Sequence, residues 1–234
     1  MANKPQLYQN WRDLLFLHWE WDADVIQMTL PPGLQVDLFD GKAYLAVVPF
    51  TMCDLRPRGF PSAPGVSNFC ELNLRTYVID EKGRNGVWFY SLEADSWISV
   101  KIANWFFHLP YRYSKLMRED YDREIYYEAI ARRDTERVLM EHRFEKPQNL
   151  HTAEEGSLEF FLVERYRLFA YHAKSRKLLT GAITHKPYEI AAAKVDKWTK
   201  QMHVLNGFEA PQRDPDFAHY SPGVDVSLFS IEDA

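Results

Sequence analysis

The stretch Phe69-Cys-Glu-Leu-Asn-Leu-Arg-Thr-Tyr-Val-Ile79 alternates strictly along a run of β-favouring residues, the pattern of a pleated strand rather than a helix. One face carries Cys70, Leu72, Leu74, Thr76 and Val78. The other carries Phe69, Glu71, Asn73, Arg75 and Tyr77, so a carboxylate, an amide and a guanidinium stand in line between two aromatic rings. An amphipathic strand with solvated Glu71 and Arg75 produces the same alternation, but rings framing charges fit a polar pocket better than open solvent. Arginine suits two-pronged capture of a carboxylate, and a nearby glutamate can be tuned for proton transfer. Glu71 and Arg75 are roughly 13 Å apart along such a strand at ~3.3 Å per residue, a span for a ligand rather than a direct ion pair.

Similar period-two or short apolar runs predict strands over Lys42–Thr51, Val87–Ala94, Tyr121–Arg132, Thr135–Phe144, Arg167–Ala173, Leu178–His185 and Glu189–Val195. That count suits a sandwich or a closed barrel. Aromatic residues make up 15% of the chain, which also favours β structure and pocket walls. Three helices are expected. One begins at Asp95-Ser96, which can cap it, and runs to about His108 before Pro110. The second carries Leu158, Phe161, Leu162 and Arg165 along one side, with Ser157 or Thr152 as cap, and the third spans Asp22–Leu30. Between Arg56 and Gly65, Pro57, Pro61 and Pro64 with Gly59 and Gly65 predict a loop, since proline cannot continue a ladder. With 234 residues, 46% of them hydrophobic, and no repeat or Gly/Ser linker, the chain reads as a single domain over 1–234.

A second polar cluster follows the first of these helices, in Trp105-Phe-Phe-His-Leu-Pro-Tyr-Arg-Tyr-Ser-Lys115. Tyr111 opens a short strand on which Tyr111, Tyr113 and Lys115 share the face opposite Arg112 and Ser114. His108 reads either as a general base or as a cation at a helix end, the more frequent role for histidine in a last turn.

Several function classes are disfavoured. A net charge of −5 gives no pull toward phosphate backbones or anionic membranes, so nucleic acid and membrane are not expected as partners. No apolar run approaches the ~20 residues of a transmembrane helix. Two cysteines, Cys53 and Cys70, behind an N-terminus without a signal-like run, suggest reduced thiols in a cytoplasmic protein. No His-Glu-x-x-His, Cys-x-x-Cys, Gly-x-Ser-x-Gly or phosphate-cradling Gly-Lys-Ser/Thr element occurs, and no two of the eight histidines stand four apart. Neither a metal nor a cofactor is expected.

Five segments in order, Asn68-Phe-Cys-Glu-Leu-Asn-Leu-Arg-Thr-Tyr-Val78, Gly86-Val-Trp-Phe-Tyr-Ser-Leu-Glu-Ala94, Phe107-His-Leu-Pro-Tyr111, Phe161-Leu-Val-Glu-Arg-Tyr-Arg167 and Tyr220-Ser-Pro-Gly-Val-Asp-Val226, make the chain resemble the YqjF-like family of uncharacterised proteins, often labelled a domain of unknown function. The resemblance runs from about Trp11 to Val226. That family is similar in fold to acetoacetate decarboxylase, which implies a β-rich α+β architecture, an antiparallel barrel or cone around a central cavity with a few outer helices. In the decarboxylase a lysine in a Gly-x-Pro-Lys-Lys segment forms a Schiff base, and a second lysine lowers its pKa. The matching segment here is His108-Leu109-Pro110-Tyr111-Arg112, so the resemblance puts Tyr111 at the Schiff-base position and Arg112 at the perturbing one. Tyrosine cannot form an imine. Glu71 matches an active-site glutamate of the decarboxylase, which implies that it points inward.

The leading expectation is therefore a cavity protein for a small anionic organic molecule, with a carboxylate as the favoured group. Arg75, Asn73, Arg112 and His108 are the candidate ligand-binding residues, and Glu71 with Tyr111 the candidate acid/base pair. A homo-oligomer is compatible with the sequence. The rival from another class is a non-enzymatic sensor or partner-binding module with an internal Glu71–Arg75 ion pair. Decarboxylase chemistry ranks third.

Overall fold

The computed structural model describes residues 4–133 and 136–234. In chain order the elements are β1 (Leu7–Trp21), α1 (Ala23–Thr29), β2 (Leu34–Val36), β3 (Ala43–Pro57), β4 (Phe69–Asp80), β5 (Asn85–Ala94), α2 (Trp97–Phe106), β6 (Tyr111–Tyr121), β7 (Glu124–Arg133) and β8 (Glu136–Glu145). Then come β9 (His151–Thr152), α3 (Leu158–Val163), β10 (Arg167–His172), β11 (Lys177–Thr184), β12 (Glu189–Ala192), β13 (Val195–Lys197), α4 (Gln201–Val204) and β14 (Phe217–Asp233).

Pairing runs from β5 through β10, β11, β14, β1, β3 and β4 and returns from β4 to β5, which closes a barrel of seven strands. The expected barrel is therefore present, with one departure from an all-antiparallel wall. β10 lies parallel to β5, held by Leu168 opposite Val87 and Phe169 opposite Trp88. Gly86 stands at this junction because a Cβ there would sit 2.7 Å from the Arg167 carbonyl. Gly223, at φ 125, similarly lets β14 pass against the backbone of Trp11 and Arg12.

A second sheet, β6, β7, β8 and β13, hangs from the barrel through a short parallel pairing of β6 with β5. It covers one outer flank, so several strands are buried on both faces and their side chains sort by parity into two cores. Leu14, Phe16, Tyr44, Ala46, Val48 and Phe50 face the interior. Leu15, Leu17, Leu45, Val47, Leu72 and Leu74 face outward against Leu116, Ile125, Ala129 and Phe144 of the second sheet.

The expected helices are all formed, though shorter than their sequence bounds. The side chains of Asp22, Ser96 and Ser157 cap α1, α2 and α3 respectively. The sequence reading missed the two longest barrel strands apart from β3. β1 contains Leu14-Leu-Phe-Leu17, an unbroken apolar run that hides period-two alternation because both faces are buried. β14 is likewise disguised by Pro222 and Gly223. The strand expected at Tyr121–Arg132 is the second arm of a hairpin whose first arm, β6, begins at Tyr111 and is eleven residues long. Thr135, expected to open the next strand, lies outside the described residues. The segment Glu189–Val195 divides into β12 and the start of β13.

Candidate functional site

The barrel encloses a cavity of about 560 Å³, most of whose wall is apolar. Its polar groups include the inward face of β4, where Glu71, Asn73 and Arg75 follow one another at every second position. Glu71 is 2% exposed and Arg75 8% exposed, so the solvated-strand reading does not hold. These side chains face inward because the alternate face, Leu72 and Leu74, is consumed by packing on the second sheet.

Tyr111 joins this face from forty residues downstream. Asn73 is opposite Leu92 across the β4–β5 ladder, and Leu92 is opposite Tyr111 across β5–β6, so the register places the ring beside β4. The Tyr111 hydroxyl donates to Glu71 Oε2 at 2.8 Å, and Asn73 Nδ2 donates to Glu71 Oε1 at 3.2 Å. Burial pushes the Glu71 carboxyl up to about 7, against the opposing pull of those two hydrogen bonds and of the Arg75 charge. Burial, and then the neighbouring Glu71, hold the Tyr111 phenol well above its ordinary value. At neutral pH the glutamate is thus divided between acid and carboxylate beside a phenol that keeps its proton.

Arg75 lies deeper. Its guanidinium carbon is 5.4 Å from the centre of the Phe16 ring and 5.8 Å from that of Tyr77. Its Nε and Nη2 atoms are buried without a hydrogen-bond partner, and it forms no ion pair with any described carboxylate, Glu71 included. Asn73 Oδ1, Trp11 Nε1 and Arg165 Nη2 are further buried polar atoms without a partner among the residues that line the cavity. Beyond Arg75 the barrel is closed by α3. The Tyr77 hydroxyl donates to the Leu162 carbonyl at 2.6 Å and lies 2.7 Å from His18 Nε2, while burial holds His18 well below its ordinary pKa.

Two of the sequence candidates stand elsewhere. Arg112 alternates to the other side of β6 from Tyr111. Its side chain is 39% exposed, and Nη1 lies 4.0 Å from Oε1 of the fully buried Glu93, which also accepts from Ser114 at 2.5 Å. His108 follows the C-cap of α2 with φ 52, a left-handed turn that carries its ring away from the cavity and onto His172, 4.2 Å between ring centres. It lines a separate pocket with Trp88, Tyr90 and Tyr171.

The sequence reading overlooked Arg165 and Arg167, which also line the cavity. Arg165 donates from Nε to the Phe161 carbonyl at 2.9 Å and from Nη1 to Asp37 at 2.6 Å. The available signal was Glu164-Arg-Tyr-Arg167 at the end of a predicted amphipathic helix, a charged cluster where a helix meets a strand. No lysine is among the described cavity-lining residues, and no group of three or more metal-ligating side chains is present among the described residues. Cys53 and Cys70 are free thiols.

A model of the DUF2071 family, described as uncharacterized conserved protein, matches residues 8–225. The uncharacterized protein YqjF of Bacillus subtilis (strain 168) is 36% identical over 224 residues, covering 95% of this chain and 90% of that protein. Among solved structures, the enduracididine biosynthesis enzyme MppR complexed with pyruvate superposes with a TM-score of 0.67 at 14% identity, over 100% of this chain and 91% of its own. Acetoacetate decarboxylase from Legionella pneumophila subsp. pneumophila str. Philadelphia 1 gives 0.64 at 14% identity, over 98% and 88%. At such identities the two structures establish a shared fold.

Proposed function

Because the chain belongs to the DUF2071 family and folds as an acetoacetate decarboxylase-like barrel, we propose that it binds a small organic carboxylate in the barrel and offers Glu71 and Tyr111 as a proton-transfer pair. The observation that carries this reading is the Arg75 guanidinium, which lines the cavity and forms no ion pair with any described carboxylate. Burying an unpaired ion costs several kcal/mol, so a protein that retains one inside an apolar cavity gains from an anion that completes it. The carboxylate takes the place of the missing ion-pair partner.

The chemistry open to Glu71 is transfer of a proton without a covalent amine intermediate. Its carboxylate form accepts a proton from the ligand, its acid form returns one, and the Tyr111 hydroxyl stabilises whichever negative charge is adjacent. Schiff-base decarboxylation lacks support, since the described lining holds no lysine. The sensor reading built on a Glu71–Arg75 ion pair is also disfavoured, because Glu71 bonds to Tyr111 and Asn73 instead.

Thermal denaturation with pyruvate, acetoacetate and propionate, each compared with an uncharged amide or ester analogue, tests the reading. A carboxylate at a hundred times its Kd stabilises by about 2.7 kcal/mol, roughly 5–10 °C for a chain of this size. The shift should vanish in Arg75→Met. Equal shifts from the uncharged analogues, or an undiminished shift in Arg75→Met, would overturn it. For any bound carboxylate long enough to reach Glu71 from Arg75, exchange of carbon-bound hydrogen in deuterated water, followed by NMR and lost in Glu71→Gln, separates catalysis from binding alone.

A further inference from the structure

The cavity is much longer than a short keto acid, and its polarity is graded along its length. Arg75 is level with Ala46 of β3 and Phe89 of β5, next to the α3 closure. The opposite rim is formed where Leu7 of β1 faces both Pro57 of β3 and Leu228 of β14. Ile102 of α2, 43% exposed, and Leu55 complete that rim. α2 is brought there by the Ser99 hydroxyl, which donates to the Val66 carbonyl at 2.9 Å in the loop that follows β3.

Between the two ends, β1 and β3 contribute Trp11, Leu14, Val48, Phe50 and Met52, a largely apolar wall beside the polar face of β4 that Gln9 of β1 interrupts toward the rim. Glu71 is nearer the rim than Arg75 by four residues, roughly 13 Å along the strand at ~3.3 Å per residue. A molecule whose carboxylate sits on Arg75 reaches the Glu71–Tyr111 pair only if it is extended. The volume of about 560 Å³ corresponds to nearly twenty waters at ~30 Å³ each, far more than pyruvate displaces.

From this gradient we infer that the ligand is an apolar-tailed monocarboxylate, with its headgroup on Arg75, its chain passing Glu71 and Tyr111, and its tail at the rim of Leu7, Leu55, Ile102 and Leu228. The inference rests on the carboxylate reading above and adds the tail. Each methylene buried against the β1 and β3 wall tightens binding about fourfold until the rim is reached.

Calorimetric titration with butyrate, octanoate, dodecanoate and hexadecanoate provides the test, with methyl hexadecanoate as the uncharged counterpart. Affinity should rise about fourfold per methylene until the rim is reached, and hexadecanoate should bind at least tenfold more tightly than its ester. Ile102→Glu alters an exposed position, so folding is preserved; it should weaken hexadecanoate and leave butyrate unchanged. If short carboxylates bind with no gain along the series, the tail inference is overturned and the carboxylate reading stands. If the ester matches hexadecanoate, or no acid of any length binds, both are overturned.

Discussion

Arg165 and Arg75 line the same cavity and both lie over aromatic rings, yet the protein satisfies them in opposite ways. Arg165, whose side chain is 3% exposed, is locked by Asp37 and the Phe161 carbonyl and packs over Phe161 and Tyr77, so it ties α3 to the segment after β2. Arg75 has rings beneath it and no ion pair with any described carboxylate. Burial and charge are alike in the two residues, and each keeps buried nitrogen without a partner, Nη2 in Arg165 and Nε with Nη2 in Arg75; the difference is whether the fold itself supplies a carboxylate, as Asp37 does for Arg165. An arginine paired with an internal carboxylate is part of the scaffold, and one without such a partner is available to an anion.

The largest effect that checks this contrast is the loss of Arg165. Arg165→Met leaves Asp37 without its cation and frees the last turn of α3, a change worth about 3–5 kcal/mol when a partner is removed from a buried ion pair. The midpoint of thermal unfolding should fall by roughly 10 °C. A fall of only a degree or two would mean that Arg165 is no more structural than Arg75.

A smaller effect, of opposite sign, is expected at Glu71. Its carboxyl is raised from an ordinary value of 4.5 to about 7, so between those pH values the folded chain holds a proton that the unfolded chain has released. Glu71 therefore costs stability progressively as pH climbs from 4.5 to 7, and the full cost is present above 7. Glu71→Gln removes the charge, so it should stabilise the protein at pH 8 by roughly 2–3 kcal/mol and leave it almost unchanged at pH 4. Unfolding midpoints measured across that range decide the sign; equal stability of the two proteins at pH 8 would show that Glu71 is better solvated than its burial indicates.

How far the sequence went toward this site depended on how each element is buried. β4 was legible because one of its faces, Cys70, Leu72, Leu74, Thr76 and Val78, carries no charge, and alternation survives when the other carries Glu71, Asn73 and Arg75. β1 was not, because burial on both faces erases the period that marks a strand. Tyr111 entered through the family resemblance, and its contact with Glu71 depends on a parallel β5–β6 register that no local pattern encodes. His108 and Arg112 failed for local reasons invisible in a one-dimensional reading, a left-handed turn in one case and strand parity in the other. Arg165 was read as one side of a helix, whereas its partner Asp37 is 128 residues away.

The smallest expected effect is on the stability of Arg75→Met, and it bears on the contrast most directly. Replacing the guanidinium with a thioether removes a buried, incompletely bonded charge, which favours the folded state. It also gives up the stacking over Phe16 and Tyr77, worth about 1–2 kcal/mol where the cation is desolvated. The two terms nearly cancel while Glu71 is protonated, so at pH 6 the variant should match the parent within about 1 kcal/mol. Above pH 7 the balance shifts, because the Arg75 charge is one of the groups that favours ionised Glu71. Without it the carboxyl titrates still higher, and the variant should lose more stability between pH 6 and pH 8 than the parent does. Chemical denaturation at both pH values separates the outcomes. A loss at pH 6 comparable to that of Arg165→Met would place Arg75 in the scaffold and remove the reason to assign it an anion; a loss that appears only at the higher pH would instead show that Arg75 acts on Glu71 through charge while its hydrogen-bonding atoms remain available to a ligand.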